Sequence, residues 1–78
     1  MTRPHAGRAL AKATTAHKAT TPGTVEFRAS GCVAAALFLT NDTDRALTLL
    51  TNSAHMDAPT QAAALDLFHY ITQEDPTP

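Results

Sequence analysis

Tryptophan is absent from this 78-residue chain, isoleucine occurs once at Ile71, and cysteine once at Cys32. One thiol excludes an intrachain disulfide and all but excludes a cysteine-based zinc site, the usual staples of very small domains. Glycine is confined to Gly7, Gly23 and Gly31, isolated from one another, so no glycine-rich phosphate loop can form. Long apolar runs are missing as well. Cys32 to Leu39 is eight residues, against the ~20 that span a bilayer. As a signal-peptide core that run lies too far along the chain, and no small-x-small cleavage site follows it. Ala29-Ser30-Gly31-Cys32 has the letters of a bacterial lipoprotein box, but Thr24-Val25-Glu26-Phe27-Arg28 stands where that box needs its apolar segment.

Acid is absent before Glu26, while Arg3, Arg8, Lys12 and Lys18 lie in that stretch. All seven acidic residues follow, accompanied only by Arg28 and Arg45, so a net charge of −1 conceals a basic opening and an acidic body. Such a split points to a segment that meets a polyanion or folds back on its own chain. Residues 1–23 are Ala, Thr, Lys, Arg and His in low-complexity order, ending at Pro22-Gly23. Ala9 to Ala13 favours transient helix. With Leu10 its only large apolar residue after Met1, the segment buries too little to offset its ordering entropy, and a flexible basic arm is predicted.

What remains is a body of about fifty residues, 24–74, followed by the tail 75–78. Chains of this size bury only about 60% of their unfolded surface, so added burial from self-association or a partner is expected. Thr24 to Arg28 alternates polar and apolar, which fits a half-buried strand or a helix start capped by Thr24. Ser30-Gly31 reads as an interruption, and Cys32 to Leu39 as a buried alanine-rich helix. Asn41-Asp42-Thr43 is a break, with Asp42 or Thr43 capping a helix that reaches about Asn52 through Ala46, Leu47, Leu49 and Leu50. Asp57 caps the best-signalled helix, with Pro59 in its first turn and Ala64, Leu67, Phe68 and Ile71 on one face. An all-α fold of two or three helices behind a flexible arm is therefore predicted.

Few residues carry chemistry. Cys32 follows Ser30-Gly31 at a plausible helix start, where backbone dipoles favour a nucleophilic thiolate, but no histidine is adjacent in sequence to act as base. More commonly such a cysteine is a small buried apolar side chain. Asp66 and His69 have metal-ligand spacing, with His55 as a conceivable third ligand; the commoner meaning is a surface pair on a helix. His5 and His17 extend the arm's positive charge. No catalytic residue, metal site or cofactor is assigned, and an enzyme is not expected.

Two resemblances are worth stating. Ser30 to Asp57 resembles one tetratricopeptide hairpin: Asn41-Asp42-Thr43-Asp44-Arg45-Ala46-Leu47 matches the inter-helix turn and small alanine, and Leu50, Ala54 and Met56 match apolar positions of the second helix. Ala34 and Leu37 replace the family's usual glycine and tyrosine. The resemblance implies protein binding. Thr24 to Arg28 followed by helices is similar to ribbon-helix-helix DNA-binding proteins, which would make Thr24, Glu26 and Arg28 the base-facing side.

Phe27 and Phe38 lie well round the helical wheel from Val33 and Leu37, and Leu39 faces a third direction. Two short neighbours can hardly cover all of them, so Phe27, Phe38 and Leu39 are expected to contact another protein or a second copy. Arg3, Arg8, Lys12 and Lys18 are the candidate phosphate contacts. The chain reads as a non-enzymatic interaction or regulatory module, with a DNA-associated dimeric regulator as the alternative. The lone thiol suits a reducing cytoplasm, and no membrane partner is expected.

Overall fold

The computed structural model describes residues 4–53 and 56–72, with side chains from Gly7 onward. Four helices follow one another: α1 (Pro4–Lys18), α2 (Val25–Thr40), α3 (Thr43–Thr51) and α4 (Ala58–Thr72). No strand occurs among the described residues. Helix α2 is the centre of the arrangement and packs on each of the other three.

The first helix takes the place of the expected arm. Proline is well suited to its first position, where the missing N–H would have no intrahelical partner. His17 and Lys18 complement the negative end of the helix dipole. What docks α1 is small rather than large. Ala9 and Ala13, one turn apart, are 3% and 0% exposed, and Leu10 packs at the margin of the core. Alanine loses no rotamer freedom when buried, so a close backbone approach can be stable without bulky side chains.

Past α1, Thr20 donates its hydroxyl to the His17 carbonyl at 2.7 Å, and the chain reverses through Gly23, whose φ of 94° belongs to the left-handed region. Thr24 then caps α2, its hydroxyl oxygen accepting from the Phe27 N–H at 3.1 Å. Thr24–Arg28 is therefore a cap and helical turn rather than a strand. Nor does Ser30-Gly31 interrupt α2. Ser30 donates its hydroxyl back to the carbonyls of Glu26 and Phe27, at 2.8 and 3.1 Å, and the helix continues. It ends at Asn41, left-handed with φ 52°, whose N–H donates to the Leu37 carbonyl at 2.8 Å.

Asp42 caps α3 as its side chain accepts from the Asp44 and Arg45 N–H groups, at 2.8 and 3.1 Å. Asp57 caps α4, accepting the Thr60 N–H at 3.3 Å and the Thr60 hydroxyl at 2.8 Å. The far end of α3 is closed from α4: the Gln61 amide donates to the Leu50 and Thr51 carbonyls, at 2.9 and 2.8 Å. Val33 and Leu37 of α2, Ala46 and Leu50 of α3, and Ala64, Phe68 and Ile71 of α4 meet in the core with the α1 alanines. Helices α2 and α3 pack on each other across Asn41-Asp42, where the tetratricopeptide resemblance puts a turn. Helix α3 stops at Thr51, however, short of Met56, and Ala54 lies outside the described residues.

Candidate interaction surfaces

Three places bring functional side chains together. The first is the outer face of α2 near its C-terminal end. Phe38 and Leu39 are 72% and 74% exposed there, and Ala35, one turn before Leu39, is exposed as well. Between Ala29 and Leu39 the only polar side chain other than a thiol is Ser30, which is buried. From Ala29 to Leu39, past the exposed Glu26 and Arg28 of its start, helix α2 is thus apolar on all sides although three neighbours cover only part of it. Helix α3 adds a further large apolar residue, Leu49, at 47% exposure.

Phe27 belongs elsewhere. Eleven residues, or roughly 16 Å of helix, separate it from Phe38. Its ring stacks on His17 of α1, with centroids 4.3 Å apart and planes tilted by 34°. This is the second place, a clasp between α1 and α2. His17 Nδ1 lies 3.0 Å from Ser30 Oγ. Because the serine proton is directed at main-chain carbonyls, Oγ accepts and Nδ1–H donates. Ser30 is also 1% exposed, so the pair is arranged to join two helices and not to deliver a nucleophile. Gly31 lies beneath the imidazole: a Cβ there would stand 3.1 Å from His17 Cε1. The glycine that looked like a helix interruption is the space into which α1 settles.

The third place is an open groove of about 770 Å³ between α1 and α4. Arg8, Ala11, Lys12, Thr15 and Ala16 line it from α1, and Leu67, Tyr70 and Ile71 from α4. Of the predicted phosphate contacts, Arg8 and Lys12 therefore share a groove wall. Lys18 is exposed at the end of α1, and Arg3 lies outside the described residues. A second hollow, about 150 Å³ between Ala29, Ser30, Ala63 and Leu67, is smaller than typical ligand sites.

The remaining chemical candidates are dispersed. Cys32 sits half-buried two turns into α2, away from the helix start that sequence suggested. Asp66 and His69 are exposed on α4, where the His69 ring meets Phe68 edge-on at 6.3 Å. No group of three potential metal ligands occurs among the described residues, and His55 is outside them. Asp57 is held below the ordinary aspartate pKa, chiefly by the Thr60 hydroxyl, while desolvation opposes the shift. Arg28 completes that cluster, its Nη2 donating to Thr60 Oγ1 at 3.4 Å.

No described helix is long and apolar enough to cross a membrane. Compared with known proteins, the chain matches no family model, no curated protein and no solved structure. With Thr24–Arg28 helical, the ribbon that a ribbon-helix-helix protein would insert into DNA is missing from these residues.

Proposed function

We propose that this chain is a small all-α, non-enzymatic interaction or regulatory module whose partner covers the outer face of α2. The observation that carries this reading is the exposure of Phe38 and Leu39, 72% and 74%, in a stretch of α2, Ala29 to Leu39, with no exposed polar side chain. A domain of this size gains stability from every additional apolar contact, and an uncovered pair of large side chains is where a partner adds most. Phe27 contributes indirectly, by holding α1 against the same helix through His17. The cations of α1 add electrostatic attraction to an acidic partner. The module is placed in the cytoplasm, where Cys32 stays reduced.

One observation favours a second reading. Arg8, Lys12 and Lys18 are exposed along a helix that contains no acid, a suitable footprint for phosphates, with Arg3 as a further cation. The chain would then be a DNA-associated dimeric regulator.

Sedimentation velocity on the full chain separates the two. The interaction reading predicts self-association or co-sedimentation with a protein partner that is lost in Phe38→Ser/Leu39→Ser, and indifference to duplex DNA. Duplex binding in low salt that is released as salt rises and is unchanged in Phe38→Ser/Leu39→Ser, with no protein partner co-sedimenting, overturns it in favour of the regulator.

A further inference from the structure

Among the described residues, every large apolar side chain of the buried core belongs to α2, α3 or α4: Val33 and Leu37, Leu50, and Phe68 and Ile71. Helix α1 adds only Ala9 and Ala13 to that core, with Leu10 packed at its margin. The three later helices are also tied to one another without α1. Arg28 of α2 reaches Thr60 of α4, and Gln61 of α4 closes the end of α3. Space remains at two places along α1. The groove of about 770 Å³ runs between it and α4, and the hollow of about 150 Å³ lies between Ala16 and Thr20 on one side and Ala29, Ser30, Ala63 and Leu67 on the other. Side chains lining such gaps have no partner atoms across them and forgo that dispersion attraction. Helix α1 is thus seated on a core that is complete without it.

We propose that α1 is a releasable strap, which leaves as a unit while α2, α3 and α4 stay folded and so bares a strip that it covers when seated. Release parts His17 Nδ1 from Ser30 Oγ, 3.0 Å apart, and lifts the imidazole off Phe27 and Gly31. The strip consists of Phe27, Ser30 and Gly31 of α2 with Leu67 of α4, which lines both gaps. Ser30 keeps its proton on the Glu26 and Phe27 carbonyls in either state, so opening strands no buried donor. The hinge is the turn after α1, where Gly23 has a φ of 94°. Access to the strip is then set by the equilibrium of the strap. Phe38 and Leu39 are exposed while the strap is closed, so the proposal does not rest on the outer face of α2.

The test is native-state amide exchange by NMR on the full ¹⁵N-labelled chain, in the parent, Thr60→Val and His17→Ala. In the parent, the α1 amides from Ala9 to His17 should share one opening. They should be about ten-fold or more less protected than Val33, Leu37 and Phe68, and nearly insensitive to low urea. Thr60 binds α2 and α4 but not α1, so its loss weakens the closed and strap-open forms alike. Thr60→Val should therefore lower core protection about five-fold and leave α1 exchange as in the parent. His17→Ala weakens the closed form alone and should speed α1 and core exchange by the same factor, about ten-fold. Equal protection of α1 and the core, or a Thr60→Val effect that reaches α1, would mean that α1 leaves only when the whole chain unfolds, and would overturn the proposal. So would α1 amides that exchange as fast as in an unfolded peptide, or that are unchanged by His17→Ala.

Discussion

Replacing Gly31 by alanine should have opposite effects depending on what stands at position 17. A glycine inside a helix is less stable than alanine by about 1 kcal/mol, so on an isolated α2 the substitution helps. In the folded chain the new Cβ would lie 3.1 Å from His17 Cε1, and the ring has to move. That ring is fixed on one side by Ser30 Oγ at 3.0 Å and stacked on Phe27 at 4.3 Å. Each contact contributes about 1 kcal/mol. Displacing the ring weakens both contacts, at most by about 2 kcal/mol, against the helix preference of about 1 kcal/mol, so Gly31→Ala should be less stable by up to about 1 kcal/mol, at most about 4–8 °C in melting temperature for a chain of this size. In a His17→Ala background nothing crowds the Cβ, and the same change should stabilise by about 1 kcal/mol. Urea melts of the four proteins, followed by circular dichroism, give the coupling directly. If Gly31→Ala stabilises both backgrounds equally, His17 does not rest on Gly31 and α1 is not docked as described.

Other perturbations test separate features. Asp42→Ala removes two cap hydrogen bonds from α3 and should cost about 1 kcal/mol in a urea melt, with Asp42→Asn recovering most of it. Gln61→Leu leaves the last α3 carbonyls without their side-chain donor, and faster amide exchange should follow in the last turn of α3 before the rest of the fold. Asp57, whose folded pKa is lowered mainly by the Thr60 hydroxyl, gives a pH dependence of definite sign. Its contribution is present above the unfolded aspartate value and is lost as pH falls through the folded one. Stability should therefore decline on acidification below about pH 4, and Thr60→Val should flatten that decline.

Much of the fold was legible because capping chemistry is local. Thr24, Asp42 and Asp57 each sit within three residues of the N–H groups they accept, and sequence spacing alone identifies such caps. The buried face of α4 was equally plain, since Ala64, Phe68 and Ile71 follow helical periodicity. Helix α1 was not visible. Its buried residues are alanines, which carry little hydropathy signal, and its docking depends on a histidine resting over a glycine in another helix. The same relation explains the misplaced break at Ser30-Gly31: turn-forming residues serve there as a hydrogen-bond acceptor and a space. Gln61 acts on carbonyls 10 and 11 residues earlier in the chain, beyond any local pattern.

The exposure of Phe38 and Leu39 was anticipated by counting faces, because a helix apolar on all sides needs more neighbours than so short a chain provides. Phe27 defeated the same count, since α1 contributed an extra neighbour. The groove could not be foreseen at all. Arg8 and Lys12 were visible as charges, but the wall they form exists only once α1 lies beside α4.

We propose the outer face of α2 as a protein-binding surface. Its most direct measurement is affinity capture from lysate of the source cells, with and without nuclease, using the full chain and Phe38→Ser/Leu39→Ser side by side. The two side chains are exposed, so the variant should melt within about 0.5 kcal/mol of the parent. A protein-binding α2 face should let the parent capture a defined protein that is retained after nuclease and absent from the variant. The same capture by both chains, or capture that disappears with nuclease, would contradict it.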